Sequence, residues 1–199
     1  GNLESDRVRF QPVGAGAVAT TVQSKLQEFV SVLDFGAVGN GVANSTMAFA
    51  AAFATGKAVY VPSGTYLVDR LNMPSNTNVF GDGATTIIRP LLPNASNFAL
   101  GADSGSPTQF IDNITIRDIM FLGYVATHPF AEHMHLIHIN GVRNVLIENC
   151  SFVGFRGDGI YIGSGRTAGE ERHNINVTVR SCFFDGVNKD NRNGISIID

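Results

Sequence analysis

The chain has 199 residues, of which 44% are hydrophobic and 16% are charged, and it contains 22 glycines. This composition is typical of an ordered, strand-rich domain and excludes a disordered chain. A net charge of −3 provides no basic field for nucleic acid, and no apolar run is long enough for membrane insertion. Two cysteines are too few for a disulfide scaffold, and the polar residues 1–11 are unlike a signal peptide.

Residues 1–30 are predicted to form an N-terminal extension and a short neck helix. Val18, Val22 and Leu26 recur at helical spacing, which indicates an amphipathic helix over residues 17–30. A helix this short cannot form a core by itself, so its apolar stripe needs a partner. That partner is either the rest of the same chain or other subunits at the neck of an oligomer.

Residues 31–199 are assigned to a second unit, which begins with a strand and a turn at residues 31–41. Asn44 or Ser45 can cap a helix that continues through Ala54, and Gly56 provides its C-terminal stop. This helix is predicted to cap the domain. After residue 72 the sequence alternates between strand and turn patterns and indicates no further helix.

The most informative feature is an internal repeat. A segment that starts with Asn, continues with β-branched residues and ends with Phe begins at Asn113, Asn144 and Asn176, at spacings of 31 and 32 residues. A second strand pattern recurs at residues 136–139, 159–162 and 194–197. Such repeats form solenoids, because single coils cannot bury their apolar faces whereas stacked coils share a core.

The repeats therefore predict an all-β fold, a right-handed parallel β-helix. Residues 31–199 would be its N-terminal part, and we expect the domain to continue, because the chain ends inside a strand pattern. Alternation along each strand predicts four inward columns. They are Ile114/Val145/Val177, Ile116/Ile147/Val179, Ile119/Cys150/Cys182 and Phe121/Phe152/Phe184.

The same register makes predictions about the cysteines and the outer face. Cys150 and Cys182 are interpreted as core thiols in neighbouring coils, and no His or further Cys lies near them at metal-ligand spacing. On the outer face, Arg117, Glu148 and Arg180 alternate in charge. Such a row is typical of solvated salt bridges, and we favour that interpretation over a catalytic Glu148.

Inserted loops indicate where a binding site would lie. The strand at residues 136–139 and its equivalents are flanked by segments 123–135 and 163–174, and loops on a rigid scaffold commonly carry function. The outward side of this strand is predicted to present His138, Tyr161 and Ser196. Tyr161 could stack on a sugar ring and His138 could exchange a proton. The alternative is an ordinary exposed surface.

Charged residues near this strand suggest glycoside hydrolysis. That reaction needs two carboxylates roughly 5–9.5 Å apart, and neighbouring coils are about 4.8 Å apart. Asp158, with Glu132 or Asp185 as its partner, is the candidate catalytic set, and Arg156 is a candidate substrate-binding residue. The alternative for Asp158, which lies between two glycines, is a turn residue.

Three histidines lie close together in the sequence, His133, His135 and His138. No carboxylate at ligand spacing completes a metal-binding pattern with them. Neither a metal ion nor another cofactor is therefore expected.

Two motifs near the start resemble a known superfamily. They are Ser31-Val-Leu-Asp-Phe-Gly-Ala-Val-Gly-Asn-Gly41 and, after an Ala-rich helix, Val59-Tyr-Val-Pro-Ser-Gly-Thr-Tyr66. The segment is similar to the start of phage tailspikes and depolymerases of the pectate-lyase-like right-handed β-helix superfamily. Asn40, Asn44 and Ser45 replace the acids usual there, which weakens any cation site without affecting the fold.

The resemblance implies a homotrimer in which the helices of residues 17–30 lie near the neck. It also implies bacterial surface polysaccharide, capsule or O-antigen, as the substrate. Cleavage would occur by glycoside hydrolysis, which we favour, or by β-elimination. Lyases of this superfamily use Tyr, His, Lys or Arg for β-elimination in place of two acids. The resemblance therefore implies that His138, Tyr161 and Arg156 would fit the β-elimination alternative.

Three functions are therefore carried forward. The first is a polysaccharide depolymerase located on the phage tail of the virion. The second is a non-catalytic receptor-binding spike of the same fold, and the third is a secreted pectinase-like enzyme. Other phage tail or baseplate proteins are the expected partners, with neither nucleic acid nor membrane insertion involved.

Overall fold

The computed structural model describes residues 4–93, 98–106, 108–164, 172–187 and 191–198. Within these ranges the chain is mostly β, with two parallel sheets around one hydrophobic core. After residue 70, each further pass of the chain adds strands to both sheets, and each pass is called a coil below.

The N-terminal segment differs from the predicted long helix. Strands β1 (Arg9–Phe10) and β2 (Thr20–Thr21) pair antiparallel, and helix α1 covers only Val22–Leu26. The prediction of a helix over residues 17–30 is wrong at both ends, because Thr20–Thr21 and Phe29–Ser31 pair with other strands and this pairing overrides the helical pattern. α1 buries none of its residues, and its role at a neck stays a prediction.

The two parallel sheets contain ten and five strands. Sheet 1 consists of β3 (Phe29–Ser31), β4 (Asn40–Asn44), β5 (Ala58–Val61), β6 (Gly64–Val68), β8 (Asn78–Pro90), β10 (Ile111–Leu122), β12 (Val142–Glu148), β13 (Ser151–Val153), β15 (Ile175–Arg180) and β16 (Phe183–Asp185). Sheet 2 consists of β7 (Leu71–Asn72), β9 (Leu100–Asp103), β11 (Ile137–Asn140), β14 (Ile160–Gly163) and β17 (Ile195–Ile198).

The first resemblance motif forms a short helical turn between β3 and β4, two strands that run in the same direction. Ser31 and Asp34 form a capping box around the 3-10 helix Val32–Phe35, in which the Ser31 backbone N–H donates to Asp34 Oδ2 at 2.8 Å. Gly36 ends the helix with a φ of 87°, a conformation that glycine adopts without strain. The expected strand therefore ends at Ser31, and the motif encodes a turn in the chain.

The Ala-rich helix is confirmed. α2 covers Thr46–Ala54, and Asn44 Oδ1 accepts hydrogen bonds from the Thr46 backbone N–H at 2.9 Å and from its Oγ1 at 2.6 Å. Phe49 and Phe53 bury their side chains in the core that α2 shares with the sheets. Its role as a cap of the domain stays a prediction.

Strand register confirms the alignment of the repeats. Phe152 pairs with Phe121 in the preceding coil and with Phe184 in the following one. Their rings are stacked, with centroids 5.2 Å apart for the first pair and 4.9 Å apart for the second. The two predicted columns of β-branched residues are also in register, so a continuous apolar interior runs through the coils.

The outward row of charged residues is formed only in part. Arg117, Glu148 and Arg180 are register partners, and Arg180 Nε donates to Glu148 Oε2 at 2.7 Å. Arg117 turns instead to Asp118, 3.1 Å away, and lies over the ring of Phe80. These pairs are partly exposed to solvent and therefore contribute little to stability.

The coils turn at equivalent points that use left-handed backbone. Asn76, Asn113, Asn144 and Asn176 have φ values of 66°, 59°, 58° and 56°. From Asn113 onward, each side-chain amide donates to the Oδ1 of the asparagine one coil earlier, at 2.9, 3.2 and 3.0 Å along the series. Asparagine tolerates this conformation better than most residues, which explains why each repeat begins with it.

Replacing Asn144 by alanine is expected to lower the free energy of unfolding by about 2 kcal/mol. The change removes two amide hydrogen bonds and places a Cβ-bearing residue without a local hydrogen bond at positive φ. Asn144→Gly keeps the backbone conformation and is expected to cost about half as much. Urea unfolding of both variants measures the effect, and equal losses would show that the backbone conformation contributes nothing.

Candidate functional site

The outward row of sheet 2 forms the floor of the candidate site. Gly101, His138, Tyr161 and Ser196 are register partners on β9, β11, β14 and β17. Parallel pairing spaces such residues by about 4.8 Å. The structure therefore brings His138, Tyr161 and Ser196 together as predicted, but Ser196 is buried and does not face solvent.

Four rings form what we call the aromatic–imidazole cluster: Phe98, His135, His138 and Tyr161. His138 contacts Phe98 and Tyr161 edge-to-face, with centroids 5.2 and 5.0 Å apart. His135 stacks on Tyr161 at 4.6 Å with an interplanar angle of 20°. Because His135 covers one face of the Tyr161 ring, the ring is held in a fixed orientation on the floor.

Asp158 lies beneath this cluster and is 0% exposed. Its Oδ1 accepts hydrogen bonds from Ser196 Oγ at 2.7 Å and from the Asn193 backbone N–H at 3.2 Å. Its own backbone N–H donates to His135 Nδ1 at 3.2 Å. This position differs from the accessible catalytic acid that the sequence predicts, because the carboxylate holds the segment of residues 193–196 against its own segment instead of facing solvent.

The two predicted partners of Asp158 lie at the surface. Glu132 Oε1 accepts a hydrogen bond from Arg192 Nη1 at 2.9 Å, which connects two loops. Asp185 Oδ1 accepts from the Val187 backbone N–H at 2.8 Å, in a local turn after β16. The predicted pair requires two accessible carboxylates. Because the Asp158 carboxylate is enclosed, neither Glu132 nor Asp185 can form such a pair with it.

Arg156 is also enclosed, with 6% of its surface exposed. Its Nε donates to the Pro129 carbonyl at 2.5 Å, and its Nη1 donates to the Pro93 carbonyl. Burial lowers the pKa of this guanidinium. The side chain therefore connects two loops to the coil by hydrogen bonds. Its position is enclosed, whereas the predicted substrate-binding role requires an accessible one.

The second loop wall, residues 163–174, lies mostly outside the described residues. Its end is anchored by Arg172, whose Nη2 donates to Asp103 Oδ1 at 3.1 Å and whose Nη1 donates to Ser104 Oγ at 2.6 Å. Both members of this ion pair are buried. The guanidinium lies over Gly141, where a Cβ would come within 2.8 Å of it.

Burial changes the titration of His135. Loss of solvent around the imidazole lowers its pKa from 6.5 to about 4, although the Asp158 carboxylate opposes this shift. The other charged or titratable groups that act on it are His138, His133 and Arg192, and all three lower its pKa. The folded protein therefore keeps His135 neutral at pH values where the unfolded chain binds a proton.

This difference predicts that stability falls as the pH is lowered from about 6.5 to about 4. Over that range the unfolded chain takes up a proton at His135 and the folded chain does not. The loss from this residue amounts to up to about 3 kcal/mol. Urea unfolding at several pH values would measure it, and a His135→Phe variant is expected to show a shallower pH dependence; equal slopes would exclude His135 as the source.

Sequence reasoning misses Phe98 and the role of His135. Phe98 lies just before β9, a strand too short to stand out from the loop around it. The sequence pattern places His135 in a loop, and its position against Tyr161 depends on how that loop returns to the sheet. Alternation along the strand would place His135 on the inward face with Ile137 and Ile139, so the sequence contains no signal for its contact with Tyr161.

Neither a metal site nor a membrane span is evident in the part of the chain that the structure describes. No group of three or more His, Cys, Asp or Glu side chains there is arranged to hold a metal ion. No helix within the same ranges is long and apolar enough to cross a membrane.

Comparison with known proteins shows where this architecture belongs. The family described as "Rhamnogalacturonase A/epimerase, pectate lyase-like" matches residues 29–197. The chain belongs to this family. Membership in the pectate lyase-like family accounts for the parallel sheets and confirms the resemblance that the first motifs predict.

Relatives of the chain within phages are of two kinds. The pre-neck appendage protein of Bacillus phage phi29 is 27% identical over 187 residues, which cover 85% of this chain and 22% of that protein. The tail spike protein of an Escherichia phage is 42% identical over 69 residues, which cover 35% of this chain and 8% of that protein. The crystal structure of pre-mature phi29 gene product 12 superposes with a TM-score of 0.64 at 27% identity, over 78% of this chain and 22% of that one.

These relatives confirm the predicted localisation, since pre-neck appendages and tail spikes are tail components of the virion. The chain spans about a fifth of the appendage protein that it matches over most of its own length. The activity and partners of the whole protein are therefore matters for proposal.

Proposed function

We propose that this pectate lyase-like chain is part of a phage tailspike that binds bacterial surface polysaccharide, capsule or O-antigen, through the aromatic–imidazole cluster. The observation that carries the proposal is the fixed arrangement of Tyr161, His138 and Phe98 on the outward row of sheet 2. Rings held by neighbouring strands present apolar surface beside polar edges, which suits the alternating CH and OH groups of a sugar.

The surroundings of the cluster support this proposal. The loop of residues 123–135 lies beside it and is fastened by Arg156, while Glu132 and Arg192 join two loops at its edge. A rigid floor with loop walls keeps the entropy cost of binding low, because few side chains become ordered on contact. The phage relatives support a virion component that meets a bacterial surface.

The binding proposal predicts that Tyr161→Ala weakens binding to purified host polysaccharide at least about tenfold. Removal of the ring deletes the contact surface and also releases His135. Tyr60→Ala is the matched control, because Tyr60 is likewise an outward aromatic stacked on a ring, Phe80, but lies on sheet 1. Calorimetry on the complete protein measures both variants, and equal affinities for wild type and Tyr161→Ala would contradict the proposal.

Depolymerisation of the same polysaccharide is a second proposed activity. It is favoured by the contact between His138 and Tyr161, which places two groups that exchange protons side by side on the floor. Since Asp158 is enclosed, this pair supports β-elimination better than hydrolysis by two carboxylates. Incubation with host polysaccharide tests it: shortened chains with unsaturated-uronate absorbance indicate a lyase, and new reducing ends without that absorbance indicate a hydrolase.

Unchanged polysaccharide chain length together with retained binding would instead favour the non-catalytic receptor-binding spike.

Under either activity, we propose that the two sheets close into a right-handed β-helix and that three chains associate side by side. Sedimentation equilibrium of the complete protein measures the mass, and a monomer at micromolar concentration would contradict the trimer. An experimental structure with left-handed or unconnected sheets would contradict the closed helix.

A further inference from the structure

The two cysteines occupy equivalent positions in neighbouring coils. Glu148 pairs with Arg180 and Ser151 pairs with Phe183, so the two residues between them align in each coil and Cys150 lies opposite Cys182. Backbone hydrogen bonds tie the coils on both sides, from Asn149 N–H to the Arg180 carbonyl and from Phe183 N–H to the Cys150 carbonyl. Register partners in parallel strands lie about 4.8 Å apart at Cα, within the range that a disulfide spans.

The Cys182 thiol points toward the coil that contains Cys150, and the Cys150 thiol points toward the preceding coil, where its Sγ lies 3.8 Å from the Ile116 carbonyl oxygen. Cys182 Sγ lies 3.6 Å from the carbonyl oxygen of Ile147, which belongs to the coil that contains Cys150. Both are free cysteines, and Cys150 is buried whereas Cys182 is half-buried.

We propose that Cys150 and Cys182 form a disulfide that joins two neighbouring coils after the protein has left a reducing cytoplasm. A component of the virion is made in a compartment that keeps thiols reduced and acts in one that does not. From the sequence, both residues are interpreted as core thiols with packing roles only. Their alignment across a coil boundary gives them a second role, as a modification site.

The two thiols are not equivalent in reactivity. The neighbouring Cys150 thiol lowers the pKa of Cys182 to about 7, and the neighbouring Cys182 thiol raises the pKa of Cys150. Cys182 is therefore the thiol that ionises near neutral pH, and it is also the more accessible one. Cys150 is positioned as the resolving thiol.

A peroxide is the class of oxidant that the reaction requires. The Cys182 thiolate attacks one peroxide oxygen, the O–O bond breaks, and the departing hydroxide takes up the proton that the thiol released on ionising, which gives a sulfenic acid and one water molecule. The Cys150 sulfur then attacks the Cys182 sulfur, the S–O bond breaks, and a second water molecule leaves with the Cys150 proton. In total, two thiols and one hydrogen peroxide give one disulfide and two water molecules.

The test uses the complete protein treated with hydrogen peroxide under native conditions, then denatured in N-ethylmaleimide and weighed by mass spectrometry. The expected product has lost about 2 Da and carries no maleimide on either cysteine, and a peptide map contains the Cys150–Cys182 link. The oxidised protein is expected to melt about 5–10 °C higher than the reduced protein. Two labelled thiols after treatment, or a link to another molecule, would overturn the proposal.

Two variants separate the roles of the thiols. Cys150→Ser is expected to stop at a Cys182 sulfenic acid, which dimedone captures. Cys182→Ser is expected to leave Cys150 reduced for at least about tenfold longer than Cys182 survives in wild type. Both substitutions are nearly isosteric, and circular dichroism of each variant before oxidation verifies its fold. Equal oxidation rates of the two single variants would overturn the assignment of Cys182 as the attacking thiol.

Discussion

Replacing Phe152 by alanine is expected to lower the free energy of unfolding by about 4 kcal/mol. The ring is fully buried and lies in the middle of a stack, with Phe121 on one face and Phe184 on the other. Its removal leaves a cavity between two coils that the backbone cannot fill, because each coil is fixed by strand pairing on both sides.

Phe183 provides the matched control for this prediction. It is the next residue to Phe184 in β16, but it points outward and 58% of its surface is exposed. Phe183→Ala is therefore expected to change stability by less than about 1 kcal/mol. Urea unfolding of the two variants measures the contrast, and similar losses would contradict the assignment of inward and outward positions in the repeat.

Replacing Asp158 by alanine is expected to cost about 2–4 kcal/mol of stability. The Ser196 hydroxyl loses its acceptor inside the protein, where no solvent replaces it, and the Asn193 backbone N–H loses an acceptor at a partly buried position. Asp112→Ala, which removes a partly exposed partner of Arg143, is expected to leave the unfolding midpoint nearly unchanged. Thermal and urea unfolding of both variants supply the measurement.

Asp158→Asn separates a structural role from a catalytic one. The amide keeps an oxygen that can accept from Ser196, so the variant is expected to fold and to retain both polysaccharide binding and any shortening of the polymer. A stably folded Asp158→Asn protein that binds polysaccharide but no longer shortens it would restore Asp158 as the catalytic acid. The same assay on wild type provides the reference rate.

The parts of the fold that are built from repeated sequence segments can be predicted from the sequence. Phe152 can be placed inside, and aligned with its neighbours, because the same spacing of Asn, β-branched residues and Phe occurs three times. The neck helix is less predictable, because Phe29 has helical spacing to Val22 and Leu26 but gains more from pairing with Ala58. A local sequence pattern contains no information about the stability gained by pairing with a strand that lies about thirty residues away.

The sequence predicts which residues of the site lie in one outward row of sheet 2, but it does not predict which of its charged groups are accessible to solvent. Register places His138 and Tyr161 side by side, which the structure confirms. The environments of Asp158 and Arg156 depend on contacts across loops, such as the one from Arg156 to the Pro129 carbonyl, and no periodicity encodes those contacts. The sequence alone therefore indicates reactive groups beside a groove, whereas the partners of these charged residues lie within the protein.

The left-handed asparagines that start each coil have a consequence for how such a protein can change. The positive φ angles of Asn113, Asn144 and Asn176, and the hydrogen bonds between their side-chain amides, hold the start of each strand in sheet 1 in register. The segment that precedes each of these residues can therefore vary in length. The intervals that lead back to these residues already differ between coils. The loops that lead from sheet 2 to these residues can therefore differ in length and sequence from coil to coil while the register of the interior stays the same.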